Sequence, residues 1–330
     1  MNPRYRRLLI PGLLLLLLVI TLISSLANRA EGAEAGPEVV SRLGDSRITE
    51  SSGLALSRSH EGIAYTINDS GNAPLVFAID VATGRTVGTT RVEGGDLVDT
   101  EALAIDRDGT LWIADTGDNR ESRADAALYA FPEQGRGDHT VTARRYPISY
   151  DSGSRNVEAL LVHPVTGAKV LISKGLLGGT IYALPPKLRT GGANLAVAQD
   201  GAGPSMVTDA TFSADGTQAF VRSYTSMFVL DPSDWSVLAT APTPYQKQGE
   251  TVTAERSSLL VGSEGKDSEL VRMPIPATTP SSAPAPAPTV SPAAAETDDQ
   301  TIAPMVFVFG AVGAAVVLGA GVAIHAKRHR

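Results

Sequence analysis

The sequence predicts an all-β fold made of a single β-propeller, and three observations carry that prediction. Five segments repeat a polar or acidic residue, a small residue and alternating apolar positions, at spacings of 49, 57, 51 and 41 residues. Turn signals such as "DRDGT" and "SADGT" follow most of these segments. Each unit then continues with further short apolar runs. Four strands per unit at a period of roughly 40–50 residues are typical of propeller blades.

The first run of each unit is predicted to be the strand that lines the central channel. These runs are "SSGLALS", "DTEALAID", "NVEALLVH", "VTDATFSADG" and "QGETVTA". The second runs are "IAYTIND", "LWIADTGDN", "VLISKG", "AFVRSY" and "LLVGSEG", and the third are "LVFAID", "LYAFPE", "IYALPP", "MFVLDP" and "LVRMPIP". A more polar fourth run follows in four units, as in "GRTVGTTRVEGG" and "TVTARRYPISYD".

The fifth unit has no fourth run, because its third run leads directly into a Pro/Ala-rich segment. The missing strand is predicted at the other end of the chain, from about Glu38 to Ile48, where it would complete the last blade and close the ring. Closure hides sheet edges that would otherwise pair with other chains. The sequence therefore predicts five four-stranded blades. Six blades is the alternative, with a degenerate blade between Glu101 and Glu158, the longest interval.

Both ends of the chain are predicted to lie outside the propeller of residues 37–276. Basic residues, a leucine run and small residues make residues 1–29 a secretory signal or an N-terminal anchor. The Pro/Ala-rich residues 277–300 predict an extended stalk. Residues 301–324 predict a C-terminal transmembrane helix, and the basic tail 325–330 places the C-terminus in the cytoplasm. These features predict a cell-membrane protein with an extracellular propeller.

Composition excludes several classes of function. The net charge is −7, from 35 acidic and 28 basic residues, and the propeller carries no basic patch. Nucleic-acid binding needs clustered Lys and Arg, so no nucleic-acid partner is expected. The chain has no cysteine, which removes disulfides, thiolate catalysis and Cys-ligated metals. The expected partners are the membrane and a cell-surface protein, wall polymer or small ligand.

The repeat resembles the broad group of extracellular propellers that includes NHL-repeat proteins, gluconolactonase/regucalcin-like calcium enzymes and esterase-like phytase domains. The resemblance covers nearly all of residues 37–276, and its most distinctive part is "TEALAIDRDGTLWIADTGDN". It looks closest to secreted, membrane-anchored propellers of high-GC Gram-positive bacteria. The regucalcin-like enzymes bind a catalytic divalent ion with Glu, Asn and Asp side chains from several blades. The resemblance implies such an ion here without assigning individual ligands.

The first strands are expected to place a ring of polar side chains near one mouth of the channel. The aligned ring positions are Ser52, Glu101, Glu158, Asp209 and Glu250. Loops around them supply further candidates, namely Asp99, Asp69, Asp115, Asp118, Lys174 and Arg222. From these we predict metal ligands at Glu101, Glu158, Asp209, Asp99 and Asp118, and other ligand contacts at Asp69, Asp115, Lys174 and Arg222.

Converging carboxylates repel one another, so they require protonation, a cation, or pairing with Lys174 and Arg222. Oxygen ligands without His or Cys favour Ca²⁺ or Mg²⁺ over zinc, and Ca²⁺ is the predicted cofactor. The alternative is structural: acidic residues at the start of inner strands can act as hydrogen-bonded locks between blades.

Two functions from different classes remain. The first is a membrane-tethered binding module with an acidic, Ca²⁺-binding channel. The second is a metal-dependent extracellular hydrolase of the lactonase or phosphoester type, with Glu101, Glu158 or Glu250 as the catalytic base. A Ser-His-Asp triad is disfavoured because the few histidines lie in predicted turns and loops. The low aromatic content, 5%, disfavours a glycosidase. The tether and the lack of a histidine base favour binding.

Overall fold

The structure, a computed structural model, describes residues 36–278. The regular elements of these residues are 21 β-strands, as the all-β prediction requires. The predicted signal or anchor (1–29), membrane helix (301–324) and basic tail (325–330), and all but the first two residues of the predicted stalk, lie outside this range. Within residues 36–278 the structure contains no helix with the length and apolar character needed to span a membrane.

The first sheet contains five strands in the order β2-β3-β4-β5-β9. Its members are β2 (Ser51–Leu56), β3 (Ile63–Asn68), β4 (Leu75–Asp80), β5 (Arg85–Glu93) and β9 (Gly137–Thr142). The first four strands form an antiparallel meander, whereas β9 joins the outer edge of the sheet parallel to β5. The long interval between Glu101 and Glu158 therefore contributes one extra strand to a neighbouring sheet.

The second sheet has eight strands, which divide into two antiparallel meanders. One consists of β6 (Thr100–Ile105), β7 (Thr110–Asp115), β8 (Ala127–Pro132) and β10 (Arg144–Tyr150). The other consists of β11 (Val157–Val162), β12 (Lys169–Ser173), β13 (Gly179–Ala183) and β14 (Asn194–Gly203). The two meanders form one sheet because their outer strands β10 and β14 pair in parallel over three residues.

Two four-stranded sheets complete the described residues. One contains β15 (Val207–Phe212), β16 (Ala219–Ser223), β17 (Ser226–Leu230) and β18 (Val237–Pro242). The other contains β19 (Gly249–Ala254), β20 (Ser258–Ser263), β21 (Glu269–Pro274) and β1 (Glu38–Arg42). The N-terminal strand thus pairs antiparallel with the last strand. It is shorter than the predicted Glu38–Ile48, because the chain turns at residues 46–47.

The first strands of the meanders form a closed ring. Strand β2 contacts β6, β6 contacts β11, β11 contacts β15, β15 contacts β19, and β19 contacts β2. Sheets arranged radially around a ring of inner strands are the arrangement of a β-propeller, so that part of the prediction is confirmed. All five inner strands start at the same end of the channel. We call this end the upper mouth and the opposite end the lower mouth.

Apolar clusters between neighbouring sheets hold the ring together. Between the first two meanders, for example, Tyr65, Leu103, Ile113 and Tyr129 are almost fully buried in one cluster. Burial of a large apolar side chain contributes about 1.5–3 kcal/mol. Four further clusters of this kind occur among the described residues. With no cysteine in the chain, this packing is the main source of stability.

Every inner strand contains a β-bulge close to the upper mouth. A bulge adds one unpaired residue and redirects a side chain, which is why bulges are common beside active sites. In β2 the bulge is at Gly53, whose φ is +80°. A Cβ there would lie 2.4 Å from the backbone nitrogen of Leu103, so glycine also permits the close approach of β6.

Candidate cation site at the upper mouth

The second residue of each inner strand forms a ring just inside the upper mouth. These residues are Ser52, Glu101, Glu158, Thr208 and Glu250. The sequence alignment was wrong by one position in β15, because it assigned Asp209 rather than Thr208 to this ring. The hydrogen bonds show the equivalence: Ser52 Oγ donates to the carbonyl of Glu101 at 2.8 Å, and Thr208 Oγ1 donates to that of Glu250 at 2.9 Å.

Asp209, a predicted metal ligand, instead links two neighbouring sheets. It is fully buried, and its Oδ2 accepts a hydrogen bond from the backbone N–H of Val252 in β19 at 2.8 Å. Its Oδ1 accepts a second bond, from the N–H of Ala210 at 2.8 Å. Burial raises the pKa of Asp209 well above its usual value. This geometry matches the structural alternative of a lock between sheets.

Arg222, a predicted ligand contact, is also committed to packing. Its guanidinium is fully buried and donates to the carbonyls of Thr251 and Gly262 at 2.7 and 2.8 Å, and to Gln246 Oε1 at 2.6 Å. Burial lowers the pKa of Arg222 to about 10. The repeat alignment matched Arg222 with Lys174. The residue that follows the second strand, as Lys174 does, is Tyr224, two positions after Arg222.

Three carboxylates converge at one side of the upper mouth. Asp69 follows β3, Asp99 precedes β6, and Glu101 is the ring residue of β6. One oxygen from each lies within 4.8 Å of the others, a spacing that could hold a metal ion. Gly117 makes room for this cluster, because a Cβ there would lie 2.3 Å from Glu101 Oε1 and 2.5 Å from Asp99 Cγ.

Glu101 has no directly paired cation in this cluster, although the charge of Lys174 acts on it from the neighbouring meander. Only 5% of the residue is exposed, and its carboxylate has no hydrogen-bond donor or ion pair among residues 36–278. Burial, together with the charges of Glu158, Asp69 and Asp99, raises the pKa of Glu101 to about 10. Burial and Asp69 raise the pKa of Asp99 to about 6. Without a cation, these three carboxyl groups can lie this close together near neutral pH only when one of them keeps its proton.

Glu158, a predicted metal ligand, is paired with a lysine. Lys174 Nζ lies 3.1 Å from Glu158 Oε2, and Asn156 Nδ2 donates to Glu158 Oε1 at 2.7 Å. Lys174 Nζ also lies 5.0 Å from the centre of the Tyr224 ring. Burial alone would lower the pKa of Lys174, but Glu158, Tyr224 and Glu250 together outweigh burial and raise it. Lys174 is therefore a cation whose charge is taken up by Glu158.

Glu250 belongs to a second carboxyl pair across the mouth. Gln248 Nε2 donates to Glu250 Oε1 at 3.3 Å and to Glu264 Oε2 at 2.5 Å. Burial raises the pKa of Glu250 to about 8 and that of Glu264 to about 7, the latter with help from Asp69 and Glu50. Glu264 occupies the position after its second strand that Asp69 and Lys174 occupy in theirs.

The remaining two candidates shape the loops that hold the cluster. Asp115 Oδ1 accepts the backbone N–H of Asp99 at 2.8 Å and pairs with Arg123 at 3.1 Å. Asp118 Oδ2 accepts the N–H of Arg123 at 2.7 Å, and its own N–H donates to Asn156 Oδ1 at 2.6 Å. These contacts position Asp99 without bringing Asp115 or Asp118 into the three-carboxylate cluster. The role of Arg123 in holding these loops was not predicted from the sequence. The available signal was that an arginine follows closely after the acidic segment "DTGDN".

The upper mouth therefore carries a large excess of carboxyl groups over basic groups. Among the described residues, Lys174 is the ammonium group within a set of carboxyl groups that act on one another there: Glu50, Asp69, Asp99, Glu101, Glu158, Glu250 and Glu264. Carboxylate oxygens without imidazole or thiolate suit hard cations such as Ca²⁺ and Mg²⁺. The residues present fit such an ion, and Asp69, Asp99 and Glu101 would be its protein ligands.

Comparisons with known proteins leave the function open. No protein-family model matches the chain. No curated protein matches it either. Among solved structures, it is similar to one assigned as TolB from Agrobacterium tumefaciens, with 12% identity and a TM-score of 0.40. The similarity covers 66% of this chain and 72% of that chain. At this identity and score the likeness carries no argument about function.

Proposed function

We propose that the protein is a cell-surface binding module, built on a five-bladed propeller whose upper mouth holds a divalent cation, with Ca²⁺ as the preferred ion. Five blades are supported by the five four-stranded meanders and by the closed ring of five inner strands. A place in the NHL and regucalcin-like group rests on the sequence resemblance alone. Membrane tethering rests on the apolar residues 301–324 and the stalk that precedes them.

One observation carries the cation proposal. Glu101 is a carboxylate with 5% exposure that has no donor of its own and faces two further carboxylates, Asp69 and Asp99. The oxygens of Glu101 are not fully buried, but three carboxylates crowded at one place repel one another, and proteins relieve such crowding by protonation or by coordinating a metal. A cation at this position would replace the missing donor. The space that Gly117 leaves beside Glu101 and Asp99 is consistent with an ion there.

Exposed apolar side chains around the upper mouth support a partner-binding role. Leu176 and Leu177, between β12 and β13, are 78% and 99% exposed. Tyr245, between β18 and β19, is 95% exposed. Both loops lie at the upper mouth, because β12 ends there and β19 begins there. Exposed apolar groups rimmed by polar residues mark interaction sites. The partner would be a cell-surface protein that contacts these loops.

The test of the cation proposal is thermal unfolding of the full-length chain in EDTA and then in excess Ca²⁺. An ion that binds only the folded state raises the unfolding midpoint by mass action. We expect that rise in the wild type and in Glu121→Gln, an exposed control near the same mouth. We expect its loss in Glu101→Gln. A wild type whose midpoint does not respond to Ca²⁺ or Mg²⁺ would exclude the proposed site.

A second candidate function is a divalent-metal-dependent hydrolase of the lactonase or phosphoester type. The pKa values of Glu250 and Glu264, about 8 and about 7, favour it, because an acid–base catalyst works best near the ambient pH. The test is turnover of a lactone and phosphodiester panel with Ca²⁺. Turnover that Glu250→Gln abolishes, while the Ca²⁺ response persists, would establish the hydrolase. If the wild type turns over none of these compounds, the hydrolase is excluded and the binding module is the function that remains.

A further inference from the structure

The channel opens at its lower mouth into a cavity that the cation site does not use. The cavity has a volume of about 520 Å³ and is lined by residues from all five inner strands and the loops that follow them. This volume lies within the range of small-molecule sites, roughly 300–1,000 Å³. A closed ring of packed strands forms its walls, so the cavity exists before any ligand arrives.

The walls of this cavity are about half apolar and half polar. Partly exposed side chains of three inner strands supply apolar surface, namely Leu56, Ala104 and Ala254. The leucines behind them are buried in the clusters between sheets and keep the wall packed. A surface of this mixed kind suits a ligand with an apolar body and a polar end. The site therefore differs in chemistry from the carboxylate-rich upper mouth of the same channel.

The carboxylates at the rim of the cavity are Asp215 and Glu255, and their partners decide how much negative charge remains there. Asp215 accepts hydrogen bonds from Ser213 Oγ at 2.7 Å and Thr217 Oγ1 at 2.8 Å. Glu255 holds Arg272 through two bonds, at 2.6 and 2.9 Å. Arg272 therefore neutralises Glu255, whereas Asp215 stays ionised, because these hydrogen bonds lower its pKa to about 2.

Two arginines at the rim are not satisfied in this way. Arg58 follows β2 and Arg256 follows β19, and these two inner strands are neighbours in the ring. Both arginines line the cavity and are exposed. The ion pairs among residues 36–278 include neither of them. Guanidinium groups are the usual partners of carboxylate and phosphate ligands.

We propose that the lower mouth binds a small amphipathic organic anion, with its apolar body in the channel and its carboxylate between Arg58 and Arg256. The apolar part of the wall covers the body of the ligand, while the two arginines outnumber the ionised Asp215 at the rim, set the orientation of the ligand and select for negative charge. This site is separate from the proposed cation site and from its carboxylates. Its ligand is a second class of molecule that the same ring of strands can hold.

The experiment is isothermal titration of the full-length chain with 2-naphthoate and with its uncharged isostere 2-naphthamide. We expect saturable binding of the naphthoate, at least tenfold tighter than that of the amide. The double variant Arg58→Gln/Arg256→Gln should bind the two compounds equally. It changes only exposed side chains, so folding is expected to persist. Arg85→Gln, an exposed arginine outside the cavity, is the matched control and should behave as the wild type.

A second variant tests the apolar part of the site. Thr211 is half-buried and lines the cavity, so Thr211→Phe adds bulk inside it. We expect this variant to lose both compounds while it retains the wild-type circular dichroism spectrum. The proposal is overturned if the wild type does not bind naphthoate, or if the amide binds equally well. It is also overturned if the double arginine variant keeps the wild-type preference for the charged compound.

Discussion

Replacing Glu101 by glutamine should stabilise the metal-free protein, although it removes a proposed ligand. In the folded state the pKa of Glu101 is raised to about 10, against 4.5 for the free side chain. The folded protein therefore binds more protons than the unfolded chain between these values, and its stability falls as pH rises through that window. Below about pH 4.5 both states are protonated, so Glu101 costs nothing there.

The size of the effect follows from the distance in pH from the unfolded pKa. At pH 7 the unfolded chain ionises Glu101 with a pKa near 4.5, whereas the folded protein keeps it protonated. At 1.36 kcal/mol per pH unit, this difference destabilises the fold by an amount on the order of 3 kcal/mol. Glutamine has nearly the same shape and needs no proton. For a domain of this size the gain corresponds to a midpoint increase of roughly 6–12 °C.

The assay is urea unfolding of the wild type and Glu101→Gln in EDTA, at pH 5 and at pH 7.5. The stability difference should be small at pH 5 and large at pH 7.5. Saturating Ca²⁺ should reverse the order at pH 7.5, because only the wild type gains a bound ion. A glutamine variant that is less stable than the wild type at pH 7.5 in EDTA would refute the reasoning. It would mean that Glu101 is charged and paired in the folded state.

Three further substitutions test other parts of the account. Gly117→Ala should abolish the Ca²⁺-induced midpoint shift, because its Cβ would lie 2.3 Å from Glu101 Oε1; an unchanged shift would contradict the site. Asp209→Ala should destabilise the fold by about 1–3 kcal/mol per unsatisfied amide, those of Val252 and Ala210, in denaturant unfolding. It should leave the Ca²⁺-induced shift intact, and loss of that shift would return Asp209 to the ligand set. Gly53→Ala combines a φ of +80° with a Cβ 2.4 Å from backbone, so its soluble yield and midpoint should both fall; wild-type values would refute the close approach of β6.

The repeat made much of the fold predictable from sequence. Alternating apolar positions and Asp-Gly turns recur with each meander, so the inner strands starting near Ser52, Glu101 and Glu158 could be located in advance. The absence of a fourth run after β21 likewise predicted that the N-terminal strand pairs there. The pairing of β9 with the first sheet could not be predicted, because an edge strand in parallel pairing leaves no periodic pattern of its own.

The candidate site was harder to predict because it depends on single-residue register. Every inner strand contains a bulge near the mouth, and a shift of one residue moves a side chain to the other face. In β15 that shift separates Thr208, which lies in the ring, from Asp209, which lies between sheets. Similarly, Lys174 reaches Glu158 whereas Arg222 packs against backbone carbonyls, although the sequence offers both as cations near the mouth.

The central claim is that Asp69, Asp99 and Glu101 jointly hold a hard cation at the upper mouth. A crystal structure of the protein grown with Ca²⁺, with a lanthanide soak to locate the ion by anomalous scattering, tests it most directly. We predict one anomalous peak at the upper mouth, with carboxylate oxygens of all three residues at roughly 2.3–2.6 Å from Ca²⁺. Crystals with no peak at these carboxylates, in saturating Ca²⁺ or lanthanide, would contradict it.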